Sequence, residues 1–525
     1  MPGHVFVVHA DLLRLECDAW LLPADSQSYV EDYWRIGPED LSRWGWPDVG
    51  WAAHGRVVPL EGSHDAPRPY LSHVGGGRRK PPEWFAEAGG EFVRVAAEDL
   101  ARRGATPRHG RQRFLLAMPI VGTGYGGGAE RAGAIVEALL PAVWQEAEAH
   151  DVDVAIVAFE PAAHAAAQAA RRRLARRDAR DLWPALSPEL EATARGLARE
   201  AVAGRLVLFL GAGIGAGAGL PSWNRLLGAI AEDVAITDRA AFEKLDYLDR
   251  AAILERRLET PEALGEAVAH ALSRARHALT HALLAALPVS ESVTTNYDQL
   301  FELAARTVLG PDRLAVLGPG RRSDRARWLL KMHGCVSRPR EIVLTRRDYL
   351  RYGEERGALI GIVQALLLTR HVLFVGFSLD DPNFHRIADA VRRAVRPDGA
   401  GREAFGTLLS VEPRELTREL WHDDLDWVEL GTPGSGTRGG GIAVAARRIE
   451  IFLDCVAAHA PRADHLFDDV FAGLLDPEEA RVAELAKELR AAAHRMRRRG
   501  GEVPSAALPV VERMLRDLGA TPSDD

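Results

Sequence analysis

The sequence predicts an α/β protein built on two mostly parallel sheets, and three observations predict it. Short apolar runs, rich in Val, Leu and Phe, recur between long helix-forming stretches, as strands buried on both faces do. Two of these runs, Phe114–Met118 and Leu206–Leu210, lead into glycine-dense turns followed by helix-forming sequence, the layout of a ligand-binding βαβ unit. The length of 525 residues exceeds what one hydrophobic core holds, so two or three domains are expected.

Residues 1–165 form the first expected domain. Its strands are read at Val5–Val8, Ala19–Leu22, Phe114–Met118 and Val154–Phe159, with a helix over Glu130–His150. Residues 166–203, rich in Ala, Arg, Glu and Leu and broken by Pro184 and Pro188, read as a helical connector. The second domain spans 204–460, with strands at Leu206–Leu210, Ser292–Thr295, Ile342–Leu344, Val372–Gly376 and Gly406–Val411. Residues 224–287 are helix-forming and are expected to cap its site. Residues 431–441 hold Gly, Ser, Thr and Pro and read as a mobile loop. Residues 461–525 read as a helical C-terminal region.

Composition narrows the function classes. Hydrophobic residues are 47% and charged residues 27%, as in a soluble globular protein, and the net charge is −8. No basic excess is available to neutralise nucleic-acid phosphates. The Arg171–Arg173 and Arg497–Arg499 runs lie in Ala-rich helical sequence and read as solvated faces. Cys17, Cys335 and Cys455 are far apart with no C-x-x-C pair, which argues against a zinc site and a disulfide framework. No leader-like pattern and no long apolar run is present, so a cytoplasmic, membrane-free protein is expected.

Four motifs carry the chemistry. After the run Leu206–Leu210, Gly211, Gly213 and Gly215 form a turn that lets backbone approach a diphosphate, and Gly219–Trp223 form a second turn. Alone, the glycines equally make a tight turn. VTTNYD puts Asn296 and Asp298 at the C-terminal edge of a strand, although Asn-Tyr-Asp is also an ordinary turn with a helix cap. In KMHG, His333 can accept a proton near neutral pH, yet a lone His before Gly is often structural. In GFSLDDPN, Asp381 and Asn383 are either ligand contacts or caps of the next helix.

Together and in this order, RLVLFLGAGIGAGAGLPSW, VTTNYDQLFE, KMHG and LFVGFSLDDPNF resemble the sirtuin superfamily, whose members cleave the nicotinamide glycosidic bond of NAD. The resemblance implies a Rossmann-type sheet with Gly211, Ala212, Gly213, Ile214, Pro221 and Trp223 around the nucleotide. It places Thr295 among the residues that bind NAD, Asp298 on the nicotinamide amide, and Gly376, Ser378 and Asp381 on a second nucleotide loop. Asn296 would face the ribose and an attacking water, and His333 would be the general base. Gly215 stands where the family usually has Ser. Deacylating sirtuins carry a four-cysteine zinc module after the His-Gly motif; residues 335–375 contain only Cys335. The acceptor implied is therefore water, with NAD as substrate and no metal. The sequence CVSRPREIVLTRRDY after His333 resembles the antiphage NADase branch, of the Thoeris type.

HADLLRLECDAWLLPAD and AMPIVGTGYGGGAE resemble the opening and the diphosphate loop of macrodomains. By that resemblance Asp11 contacts an adenine, and Gly122, Thr123, Gly124, Tyr125 and Gly126 cradle an ADP-ribose-like diphosphate. Asp25 lies near the usual asparagine, which implies binding without hydrolysis. Trp44, Trp46 and Trp51 form either a lid or local packing. The function these resemblances imply is an NAD hydrolase effector, a homo-oligomer switched on by a nucleotide ligand or phage trigger. An NAD-dependent deacylase or ADP-ribosyl-processing enzyme, and a non-catalytic NAD sensor or scaffold, remain the alternatives. Because 335–375 lacks paired cysteines, elemental analysis of the purified protein should find no stoichiometric zinc, and chelators should leave its activity unchanged; one tightly held zinc per chain would contradict this reading.

Overall fold

The computed structural model describes residues 2–35, 37, 41–46, 55–62, 66–75, 80–124, 126–321, 323–395, 404–412, 414–431, 440–498 and 506–519. The chain divides into two compact units: Met1–Arg108, Arg113–Ala185 and Pro461–Asp525 make the first, and His109–Gln112 and Leu186–Ala460 the second. The division differs from the expected one in three ways, the first being that His109–Gln112 falls in the second unit. The expected connector is split, helix Pro161–Asp178 staying with the first unit and helix Pro188–Val202 with the second. The C-terminal region is part of the first unit, because turns Asp464–Phe467 and Asp469–Leu474 pack on helices Pro161–Asp178 and Ala132–His150, burying Leu466, Phe471 and Leu474.

The first unit holds a six-stranded sheet of β1 (Val5–His9), β2 (Ala19–Ala24), β3 (Val57–Pro59), β4 (Arg68–His73), β5 (Leu115–Pro119) and β6 (Asp153–Ala158). The order is β1-β6-β5-β2-β4-β3, parallel except for β3 against β4. β3, β4 and helix Pro82–Arg102 escape the apolar-run criterion. In β4 the reason is local: Arg68 and Tyr70 are buried polar residues beside Asp99, which lies 3.4 Å from the Arg68 guanidinium as an ion pair and accepts the Tyr70 hydroxyl at 2.9 Å. Helices Pro82–Arg102 and Ala132–His150 pack closely at Gly89, where a Cβ would lie 2.5 Å from a Leu139 methyl. Arg171, expected on a solvated face, is only 1% exposed, with its guanidinium over the Trp183 ring; its long apolar stem makes that burial possible.

The second unit holds β7 (Leu206–Leu210), β8 (Glu291–Thr294), β9 (Leu314–Leu317), β10 (Arg327–Lys331), β11 (His371–Val375), β12 (Gly406–Ser410) and β13 (Leu425–Glu429). All pairs are parallel, in the order β13-β12-β11-β7-β8-β10-β9. From the central β7 the chain moves to β8 on one side and later crosses to β11 on the other. The crevice at their C-terminal ends is therefore the topological switch point, where open α/β sheets bind ligands. The expected strand Ile342–Leu344 pairs in no ladder. It is apolar because Val343 and Leu344 are buried, and it runs beside His333, whose carbonyl accepts the Val343 N–H at 2.9 Å. The strand on that side of the sheet is β10, hidden in sequence by Arg and Lys at its ends.

The expected helical cap is present as Trp223–Asp233, Arg239–Lys244, Tyr247–Arg257, Pro261–Ala271 and Leu279–Ala286. Leu226, Leu227, Ile230, Leu254, Leu264 and Val268 give most of the cap its own apolar cluster, closed onto the sheet through Tyr297 and Leu344. Tyr125, Trp51 and residues 432–439 of the expected mobile loop lie outside the described residues. No helix among the described residues is long and apolar enough to cross a membrane.

One buried ion pair secures the sheet's C-terminal edge. Lys331, the last residue of β10, donates to Glu302 Oε1 at 2.8 Å, and the two side chains are 2% and 5% exposed. The ammonium also donates to the carbonyls of Asp298 and Tyr297. Burial alone would lower the Lys331 pKa; Glu302, Cys335 and Asp298 outweigh it and raise it. Lys331→Met, which strands Glu302 without its partner, should destabilise the unit by ~3–5 kcal/mol, read as a lower denaturation midpoint. Adding Glu302→Leu should recover most of the loss; an unshifted midpoint in the single variant would remove the pair from the fold's supports.

Candidate functional site

Strand register builds the site. Val375, Leu210, Thr294 and Lys331 are Cα partners in a row across β11, β7, β8 and β10. The residues that follow each of them, Gly376, Gly211, Thr295–Asn296 and Met332–His333, therefore leave the sheet side by side, and the four sequence motifs meet at one edge.

At the switch point two loops touch through glycine. A Cβ on Gly211 would lie 2.4 Å from the Gly376 carbonyl oxygen, and one on Gly213 would lie 2.8 Å from Gly376 Cα. Gly376 has φ +65° and a virtual Cβ 2.6 Å from the Ile214 nitrogen. The Gly211 N–H donates to the Val375 carbonyl and the Gly213 N–H to the Gly376 carbonyl, both at 2.9 Å. These two N–H groups lash the loops together rather than face outward. What the glycines leave open is an exposed surface at Ala212 and Gly213, carrying no side chain larger than a methyl, with Ile214 buried behind it. At Gly215 a Cβ would crowd the Leu220 side chain at 2.6 Å, which accounts for glycine in place of Ser. Pro221 and Trp223 are half-buried, and the Trp223 ring stands edge-on to Tyr297 at 5.5 Å between centroids.

Asn296 is aimed by Thr294, a residue the sequence reading passed over. The buried Thr294 hydroxyl donates to the Leu210 carbonyl at 2.9 Å and accepts the Asn296 N–H at 3.0 Å. The Asn296 amide nitrogen donates to the Gly211 carbonyl at 3.0 Å, which ties this side chain to the glycine loop. Its Oδ1 is buried and has no hydrogen-bond partner. Buried amide oxygens rarely go unpaired, so this one is suited to a ligand donor or a water. Asp298 sits just before the N-cap Gln299 of helix Leu300–Leu309, and its Oδ1 accepts the Leu300 N–H at 2.9 Å. Tyr297, also unforeseen, is structural, its hydroxyl donating to the Val343 carbonyl at 2.6 Å.

His333 is 2% exposed. Its Nε2 has no hydrogen-bond partner and lies 3.5 Å from Asp381 Oδ2. Tyr349 and Tyr352 present their rings at 5.5 and 5.7 Å between centroids. Burial pulls the His333 pKa below its ordinary value, Asp381 pulls it back up and Arg356 lowers it again. Arg356 holds the backbone on either side, donating to the carbonyls of Met332 at 3.1 Å and Glu341 at 2.7 Å. Gly334 must be glycine: its φ is +90° and a Cβ would meet the Glu341 carbonyl at 2.3 Å. Asp381 is both cap and site residue. Its Oδ1 accepts the Phe384 N–H at 2.8 Å and its Oδ2 accepts the Tyr349 hydroxyl at 3.1 Å. Ser378 is exposed, and its carbonyl accepts from Arg414. Asn383 is 2% exposed and neither amide atom is paired, so it is not a cap. Arg356 and Tyr349 carry no signal in a single sequence, being ordinary helix residues 23 and 16 positions beyond His333.

In the first unit, Asp11 and the glycine loop follow β1 and β5 at the C-terminal edge of that sheet. Asp11 caps a short turn through Leu13 N–H at 2.9 Å and accepts the Tyr33 hydroxyl at 3.3 Å; burial raises its pKa. Gly122 (φ +79°) and Gly126 are barred to side chains by Phe85 and by the Val74 carbonyl, whereas Gly124 has nothing within 4 Å of a virtual Cβ. The Thr123 hydroxyl is turned inward to the Ile120 carbonyl. The Asp25 carboxylate is occupied with the N–H groups of Gln27 and Tyr29. Trp46 donates to the Leu41 carbonyl and Trp44 is buried, so both serve packing.

Comparison with known proteins agrees with the geometry. Residues 290–423, from β8 to beyond β12, match the SIR2-like domain family. The chain is 30% identical over 220 residues to the NAD(+) hydrolase ThsA of Bacillus cereus (strain MSX-D12), covering 41% of this chain and 45% of that protein. It is 30% identical over 209 residues to the NAD(+) hydrolase ThsA of Enterococcus faecium, covering 37% and 41%. It is 23% identical over 201 residues to the Defense-associated sirtuin 2 of Bacillus subtilis, covering 36% and 19%. The matched stretch spans less than half the length of these curated relatives. The sirtuin-like character expected of the second half of the chain is thus borne out.

Proposed function

We propose that the second unit hydrolyses NAD to nicotinamide and ADP-ribose. The observation that carries this is the convergence of the Asn296 amide, with an unpartnered buried oxygen, and the sealed imidazole of His333 on the strand-end row that holds the glycine contact. A diphosphate would lie against the backbone at the glycine contact, and Ala212, Gly213, Ile214, Pro221, Trp223, Gly376 and Ser378 would line the nucleotide. Thr295 and Asp298 would lie toward the nicotinamide. Relatives named NAD(+) hydrolases, matched over about two fifths of the chain, support the reaction class.

The chemistry balances without a metal. The nicotinamide ring nitrogen is already positive, so it leaves with the electron pair of the C1′–N bond. The oxocarbenium-like ribose is stabilised by the Asn296 oxygen and the neighbouring phosphate charge in a water-poor pocket. Water forms the new C1′–O bond and gives its proton to His333, which releases it to solvent. Burial keeps His333 neutral at neutral pH, the state a general base requires.

The wider role we propose is antiviral: a cytoplasmic, homo-oligomeric effector that depletes NAD. The name of the Bacillus subtilis relative supports a defence role. The first unit would be the sensor, a macro-like domain binding an ADP-ribose-like nucleotide at Asp11 and the Gly122–Gly126 loop. Such a ligand acts only if it binds the active state better than the resting one.

Two outcomes are expected. His333→Ala and Asn296→Ala should each lower nicotinamide release by ~10²–10⁴-fold with an unchanged melting temperature; full turnover in either would overturn the assigned roles. Gly124→Glu, placed where nothing crowds it, should abolish the response to ADP-ribose and related cyclic nucleotides while leaving the NAD site intact. Calorimetry on the full chain checks it: no binding to any such ligand in the parent protein would leave the first unit as a scaffold.

A further inference from the structure

We infer that Asp381 is the positioning residue of His333, holding its ring with Nε2 toward the carboxylate and leaving Nδ1 as the atom that takes the proton. This rests on the NAD-hydrolysis reading but changes one part of it: Asp381 serves the base rather than the nucleotide.

The two oxygens of Asp381 have separate duties. Oδ1 is spent on the Phe384 N–H at the start of helix Pro382–Val395. Oδ2 accepts the Tyr349 hydroxyl and faces His333 Nε2 at 3.5 Å. The helix start lends the carboxylate a favourable dipole, and the backbone bond fixes it in place. A separation of 3.5 Å is longer than a hydrogen bond, but catalytic contacts are often loose before substrate is bound. Nε2 is buried with no hydrogen-bond partner, and the Asp381 carboxylate is the acidic group it faces.

The charged and titratable groups around His333 are few. Asp381 is the carboxylate facing it, Arg356 the cation, and Tyr349 and Tyr352 the flanking hydroxyl-bearing rings. Tyr247 and Tyr297 belong to the same tyrosine cluster around Asp381, and burial raises the pKa of both, so their hydroxyls stay protonated. A ring buried beside an arginine loses basicity. A carboxylate aimed at one nitrogen restores part of it, fixes the tautomer and stabilises the imidazolium that forms when a proton arrives.

Asp381→Asn tests this in the full-length protein, because Asn caps helices as well as Asp. The melting temperature should be held, KM for NAD should change little, and kcat should fall by roughly 10- to 10⁴-fold. The acid limb of the kcat profile should move to lower pH, since losing the carboxylate lowers the proton affinity of His333. Tyr349→Phe leaves the cap untouched and removes the hydroxyl that shares Oδ2, so it should move the limb to higher pH. The His333 ring C–H resonance, identified by its absence in His333→Ala, should titrate with the same two opposite shifts. A raised KM with an unmoved limb in Asp381→Asn would return Asp381 to nucleotide binding, and an unshifted His333 titration in both variants would overturn the pairing. Should the parent protein not cleave NAD, the function proposed above fails, and the His333 titration still decides the pairing.

Discussion

Everything at the candidate site depends on parallel register across β11, β7, β8 and β10. Because Val375, Leu210, Thr294 and Lys331 sit in one row, four segments that are up to 165 residues apart in sequence leave the sheet together. A one-residue slip of any of these strands would swap its inward and outward side chains and move its loop out of the row. The slip is opposed because these strands are buried on both faces: LVLFL of β7 is buried throughout, and Val372–Val375 of β11 likewise. Apolar burial sets the register, and the register sets the chemistry.

Polar groups then do what apolar packing cannot, fixing direction. Thr294 turns Asn296, Tyr297 ties its loop to Val343, and Arg356 holds the carbonyls of Met332 and Glu341. The Tyr297 and Arg356 bonds join residues 15 to 46 positions apart, and their donors are buried or nearly so. In that setting a satisfied polar group costs little while an orphan costs ~1–3 kcal/mol, so the network is close to all-or-none. The two loops fused at Gly211, Gly213 and Gly376 show the same economy by a different means: removing side chains lets backbone meet backbone, and any Cβ there would push the loops apart.

Much of this was legible in the sequence, and the failures share a cause. β7 (LVLFL) and β11 (HVLFV) announce themselves because centrally buried strands are nearly continuous apolar runs, whereas β8 (ESVT) and β12 (GTLLS) are legible from shorter mixed runs. β4 and β10 are not legible, because Arg68 and Lys331 are buried as ion pairs with Asp99 and Glu302, partners that lie 31 and 29 positions away and look like surface charge in one dimension. Ile342–Leu344 misleads in the opposite sense: it is apolar because it packs beside His333 and Tyr297, not because it pairs in the sheet. The motif residues Asn296, Asp298, His333, Gly376 and Asp381 were found by pattern. Their supports, Thr294, Arg356 and Tyr349, were not, because support is a property of three-dimensional contact with no fixed spacing.

The setting of His333 illustrates the compromise such a site must reach. A base that is to work at neutral pH must be unprotonated there, and burial achieves this by penalising the imidazolium. Burial carried too far leaves a ring too weak to take a proton from water at all, since base strength falls with pKa. Arg356, whose fixed charge is needed to hold the loop, pushes further in that direction. A negative group within a few ångströms opposes the trend, and the one the structure sets there, Asp381, is anchored by a helix N–H and a tyrosine hydroxyl. The helix cap is thus more than a stop signal for Pro382–Val395: it fixes the carboxylate whose position sets how strong a base the sealed histidine can be.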